Sequence, residues 1–173
     1  MQDGLPGCPD CSAAAAPGNS VPGTGGVNLV QDKWKNPTGG KVRGCDTEYG
    51  CGNYGASRGS RKHDGSDYES VPGQEIVSPV NGEIIRGSNP YKNDPSYNGV
   101  FIRSAEGKSV WVWYLSPDKG IIGSKVQEGD RIGTAQDLTT KYPAKNGNPA
   151  ITNHIHVRIK DGKTSLNPEN LIP

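Results

Sequence analysis

No stretch of this 173-residue chain sustains a 3.6-residue apolar period, and that absence sets aside helical bundles at once. What the chain offers instead is short apolar runs broken by turn signals. Strands are expected at Glu75–Val77, Gly82–Arg86, Gly99–Ser104, Val110–Leu115, Arg131–Ala135 and His154–Ile159. The connections between them carry PVNG, GSNP, AEGK, QEGD and KDGK, all rich in residues that favour turns. With 25 Gly, 14 Pro and only 31% apolar residues, the chain suits many short strands and long loops with few or no helices. The expected class is all-β and mostly antiparallel, built as a sandwich or a partly open barrel.

The N-terminal third has a different texture. Residues 1–42 include AAAAPGNSVPGTGG and read as a Gly/Pro/Ala/Ser-rich tail or linker, because so little apolar surface cannot offset the entropy of ordering. Residues 43–173 form the expected folded domain. MQDGLPGCPDCSAAAAPG has neither a basic n-region nor an apolar h-region, so no secretory signal is visible. A signal removed earlier, another export route, or origin in a longer protein would each account for that. No run of about 18 apolar residues is present to cross a membrane as a helix. Lys and Arg total 19 against 18 Asp and Glu, so no bulk field draws the chain toward nucleic acid or an anionic membrane.

All four cysteines precede residue 52. The spacing of Cys45 and Cys51 is too wide for a zinc knuckle to go with the C-x-x-C of Cys8 and Cys11. A thioredoxin-like reading of that C-x-x-C would need a strand before it and a helix after it, and neither is visible. A local disulfide between Cys45 and Cys51, with Cys8 and Cys11 as a feature of the tail, is the expected arrangement.

The three histidines fall in two tight clusters. SRKHDGSDYE gives His63-x-x-x-Asp67, and TNHIHVRI gives His154-x-His156. Alternation along a strand puts His154, His156 and Arg158 on one side and Ile155, Val157 and Ile159 on the other. The apolar side goes to the core, so both imidazoles project into the same open space. Two imidazoles and a carboxylate make a three-ligand set that leaves a fourth position for water, with one imidazole left over to move a proton. Such donors suit Zn²⁺ better than Ca²⁺ or Mg²⁺, which want oxygen-rich shells.

Taken in order, GNYGASRGSRKHDGSD, VPGQEIVSPVNGEIIRG, KVQEGDRIG and NHIHVRI resemble four successive signatures of the lysostaphin-type (LytM-like) M23 metallopeptidases, from about residue 44 to the end. RGCDTEYGCGNYGASRGSRKH, WYLSPDKGIIGSKVQEGDRIG and KYP are similar to the leukocyte cell-derived chemotaxin 2-like branch of that family, which keeps a Cys pair before the His/Asp cluster. The resemblance implies one Zn²⁺ per chain held by His63, Asp67 and His156, with His154 as general acid/base. Active members carry a further His in a strand reading Y-x-H-L; here VWVWYLSP sets Tyr114 in its place. Tyr114 is then either a phenol donor to the oxyanion or an aromatic packing beside Trp111 and Trp113.

Two functions follow from the resemblance. The first is a zinc endopeptidase that cleaves peptide cross-links of bacterial peptidoglycan, secreted or acting in the periplasm or cell wall. Such a domain could be a toxin carried by a longer delivery protein, with an immunity protein as a further partner. The second is a non-catalytic, zinc-stabilised binding or signalling module. A cell-wall-binding domain of the SH3 type explains neither histidine cluster.

Overall fold

The computed structural model of the chain describes residues 33–173. Its strands, in chain order, are β1 (Cys45–Asp46), β2 (Gly50–Cys51), β3 (Ser57–Arg58), β4 (Arg61–Lys62), β5 (Ser66–Glu69), β6 (Glu75–Val77) and β7 (Gly82–Gly87). They continue as β8 (Gly99–Ser104), β9 (Ser109–Trp113), β10 (Leu115–Pro117), β11 (Lys125–Val126), β12 (Arg131–Ala135), β13 (His154–Asp161) and β14 (Thr164–Leu166). One 3₁₀ turn at Pro168–Asn170 follows, capped by the Asn167 side chain, which accepts from the Glu169 N–H. The fold is all-β, and every ladder among the described residues is antiparallel.

The main sheet runs β11-β7-β8-β9-β13-β14, and β5 shares the outer edge of β13 with β14. His154 to Val157 pair with β5, and Ile159 to Asp161 pair with β14. A three-stranded sheet, β10-β12-β6, covers one face of this assembly without closing it into a barrel. The registers show why that face became the core. Ile84 lies opposite Ile102, Ile102 opposite Val110, Val112 opposite Val157, and Ile155 opposite Tyr68. Ile76, Leu115 and Ile132 from the smaller sheet complete the same buried cluster. Burial of aliphatic rows against each other stabilises by about 1.5–3 kcal/mol per side chain, which suffices to fix the strand register.

The expected strand Val110–Leu115 is in fact two strands in two sheets. Tyr114 breaks it with φ 70°, a left-handed backbone that side chains with a Cβ rarely adopt. The break has its own partners: the N–H groups of Tyr114 and Leu115 both donate to Asn98 O, at 2.8 and 3.2 Å. Trp113 therefore stays with β13 while Leu115 crosses to pair with Ala135 of β12.

The folded unit also starts before residue 43, where composition suggested a boundary. Trp34 is buried in the main core, and its N–H donates to Leu171 O at 2.8 Å. Val42 bridges to Tyr68. Averaged over the whole segment, these two apolar anchors were hidden. Cys8, Cys11 and the rest of the expected tail up to residue 32 lie outside the described residues.

Candidate metal centre

β13 runs between β5 and β9, and its register does most of the assembly. His156 lies directly opposite Asp67 on one side and Trp113 on the other. Its ring stacks on the Trp113 indole at 5.2 Å and 17°. His63 enters from the end of the β3–β4 hairpin, where its N–H donates to Ala56 O at 2.8 Å. Its Nδ1 is 2.9 Å from Asn53 O, so it carries the proton and leaves Nε2 with a free lone pair.

Three donor atoms then converge. His63 Nε2 is 3.1 Å from His156 Nδ1 and 3.3 Å from Asp67 Oδ1, and His156 Nδ1 is 2.9 Å from Asp67 Oδ1. A tetrahedral Zn²⁺ with ligands at 2.0–2.1 Å sets its donors about 3.3 Å apart. The triangle therefore has the dimensions of one face of such a site. All three residues are buried and form the one candidate His/Cys/Asp/Glu metal cluster found among the described residues. Burial pushes the Asp67 carboxyl up, but the His154, His156 and His63 imidazoles around it more than offset that, leaving the group well below its ordinary range. The carboxylate is the form a metal needs.

The other nitrogen of His156 is informative. Nε2 is buried and has no hydrogen-bond partner among the described residues; the Asp64 carboxylate stands 3.9 Å away. With Nδ1 on a metal, Nε2 would carry the proton, and a nearby carboxylate is the usual acceptor. Gly65 makes room for this ring and for the β13 backbone, since a Cβ there would meet the Val157 carbonyl oxygen first and His156 Nε2 at 2.6 Å.

His154 stands beside the triangle. Its Nδ1–H donates to Thr152 O at 2.8 Å, which leaves Nε2 as an acceptor 3.6 Å from Asp67 Oδ2. Burial pulls its pKa down to about 4, so the ring is neutral near pH 7. The sequence suggested open space around both imidazoles of β13, whereas both are in fact nearly inaccessible, set into the wall of a cleft of about 430 Å³. Tyr114 meets His154 edge-on at 5.2 Å, because its left-handed backbone swings the ring out of strand alternation. Its hydroxyl lies 2.8 Å from Tyr91 Oη, which is 2.6 Å from Tyr142 Oη. Desolvation raises the Tyr114 phenol further above its ordinary range, so it stays protonated.

Arg43, Asp46 and Thr152 were not foreseen. The buried Arg43 guanidinium donates to Asp67 Oδ2 at 3.0 Å, to Asp46 Oδ2 at 2.6 Å and to Gly50 O at 2.9 Å. Asp46 Oδ2 also accepts the Thr152 N–H at 3.0 Å, and its Oδ1 accepts the Thr152 hydroxyl at 3.0 Å. Arg58, five residues before His63, lies 3.7 Å from Asp67 Oδ2 and donates to Cys51 O at 2.6 Å. The loop that offers these carbonyls is closed by the Cys45–Cys51 disulfide. The one sequence signal for this network was an acidic residue directly after the first cysteine of that loop.

The sequence pattern of peptidase family M23 matches residues 61–168. Leukocyte cell-derived chemotaxin-2 of Mus musculus is 32% identical over 135 residues, spanning 78% of this chain and 81% of that protein. The catalytic domain of the antimicrobial peptidase lysostaphin from Staphylococcus simulans superposes with a TM-score of 0.51 at 19% identity, over 68% of this chain and 86% of the other. A zinc-containing peptidase from Vibrio cholerae gives 0.54 at 17% identity, over 79% of this chain and 39% of that one.

Proposed function

The chain belongs to peptidase family M23, and from that premise we propose that it is a zinc-dependent endopeptidase acting on the peptide cross-links of bacterial peptidoglycan. His63 Nε2, Asp67 Oδ1 and His156 Nδ1 would hold one Zn²⁺, which would supply Lewis acidity to the scissile carbonyl and to the attacking water. The observation that carries the reading is His154. It lies beside the donor triangle, its Nδ1 tied to Thr152 O and its Nε2 lone pair free. A metal kept only for structure has no use for such a base. His154 Nε2 accepts the proton of the attacking water and passes it to the leaving amine. Tyr114, protonated and facing the cleft, donates to the oxygen that gains charge. Gly65 and Trp113 fix the His156 ring in the wall of the cleft. A disulfide is at home in the secreted, periplasmic or cell-wall setting where such a substrate is met.

One observation favours a second reading, a zinc-stabilised binding module. The Tyr114 hydroxyl is already engaged by Tyr91, and a relative 32% identical is named a chemotaxin. Incubation of the purified protein with peptidoglycan sacculi, followed by mass analysis of released muropeptides, separates the two. The enzyme reading expects peptide fragments that vanish with a chelator and return with zinc. His154→Ala should lower their release about 10²-fold while keeping the metal. Zinc-loaded wild-type protein that releases nothing would leave the binding module standing.

A further inference from the structure

We propose that Arg43 and Asp46 are positioning residues of the metal site, an ion pair with a buried guanidinium and a half-buried carboxylate that orients Asp67 from one end and His154 from the other. The inference rests on the zinc reading above and extends it beyond the donor atoms. An aspartate ligand can offer either oxygen, or both. Here the two oxygens of Asp67 face different surroundings. His63 and His156 stand at Oδ1, at 3.3 and 2.9 Å, whereas Arg43 at 3.0 Å and Arg58 at 3.7 Å stand at Oδ2. A guanidinium on one oxygen leaves the other for the metal, so Asp67 would offer Oδ1 to it.

The opposite end of the pair reaches the proposed base. Asp46 takes both the N–H and the hydroxyl of Thr152, and Thr152 O takes the Nδ1–H of His154. That carbonyl fixes the tautomer in which His154 Nε2 is free. Asp46 and Thr152 are 106 residues apart and Arg43 and Asp67 are 24 apart, so no local turn explains these contacts.

The plain alternative is that the pair only closes the loop against the domain. Arg43 is 3% exposed, and desolvating such a group works against folding; a well-packed apolar pair would serve a purely structural end better. The two roles predict different readouts. A structural pair, once broken, lowers stability and leaves the metal affinity of folded protein unchanged. A positioning pair changes the affinity and the ligand field.

The test measures zinc affinity of the full chain by competition with a chromophoric chelator, and the visible spectrum of the cobalt-substituted protein. Zinc binding by the wild type tests the metal reading itself; the ratios between variants test the bridge. Arg43→Met is expected to bind zinc on the order of 10- to 100-fold more weakly, with a shifted cobalt spectrum, as for other partners of metal ligands. Arg43→Lys restores a cation at Oδ2 without the fork and should recover part of the loss. Asp46→Asn should weaken binding by less and shift the spectrum in the same sense. Arg43→Met and Asp46→Asn proteins that are folded by circular dichroism and bind zinc within twofold of wild type would overturn the proposal. Should Arg43→Met fail to fold, Arg43→Lys and Asp46→Asn decide it, and wild-type affinity and spectra in both would count against the bridge.

Discussion

The two faces of β13 are one residue apart in sequence and are held by different physics. Ile155, Val157 and Ile159 are fully buried against aliphatic neighbours, where stabilisation grows with area and has no direction. His154 and His156, at 4% and 6% exposure, are nearly as inaccessible. Their neighbours are Asp67, Thr152, Tyr114 and Trp113, and each contact depends on which atom faces which. Removing such polar groups from water opposes folding unless each finds a partner. Burial alone thus does not tell core from site. The chemistry of the partners does.

The sharpest way to break this contrast is to delete one residue from each face. His156→Ala should weaken zinc binding by more than the 10- to 100-fold typical of outer partners, on the order of 10³-fold, while the metal-free protein keeps its fold. Titration calorimetry reads the first and circular dichroism the second. Ile155→Ala should do the reverse: about 2–5 kcal/mol less stability in urea unfolding, and zinc affinity of the folded protein unchanged within a few-fold. A folded Ile155→Ala protein without zinc affinity would show that the faces are not separable.

A smaller effect comes from acid. His154 has a folded pKa of about 4 against an ordinary 6.5, so the unfolded chain takes up this proton first as pH falls. Stability of the metal-free protein should therefore be fully present above pH 6.5 and decline as pH drops toward 4, by up to about 3 kcal/mol. Thermal melts across that window are the measurement, and His154→Ala should flatten the curve. The core face contributes nothing to this slope, so a slope that survives the substitution would assign it elsewhere. Smallest of all, Tyr114→Phe removes one oxygen and leaves the ring against His154. In the peptidase reading kcat falls by about 10²-fold at unchanged zinc affinity; unchanged turnover would leave Tyr114 a packing group.

Legibility in the sequence followed how local each signal was. Glu75–Val77, Gly99–Ser104 and Arg131–Ala135 could be delimited from apolar runs between turns, and the structure has strands at those bounds. β5 was missed because SDYE has a single apolar residue, and its pairing is dictated by β13, not by its own pattern. The division of VWVWYL was invisible because nothing in Tyr114 itself announces a left-handed backbone; Asn98, far upstream, provides the carbonyl that holds it. Of the site, His63, Asp67, His154 and His156 stood out as spaced motifs, and the fold brings them together with Tyr114. The Arg43–Asp46–Thr152 network had no spacing to betray it, since its links to Asp67 and Thr152 join segments that only the finished fold makes neighbours.

Gly65 bears on how chains of this kind are compared. It holds no metal and carries no charge, and a reader of motifs would score it as a spacer between His63 and Asp67. Yet the space it leaves is taken up by the Val157 carbonyl and the His156 ring. A related protein could keep every donor residue in register and still carry alanine at this one position. Its pattern would read as intact, while the strand and ring pushed aside by the new Cβ would no longer set the His156 donor in place. Counting ligands in an alignment therefore does not by itself show that such a domain is competent, and the spacer is one place where a lineage could silence the site.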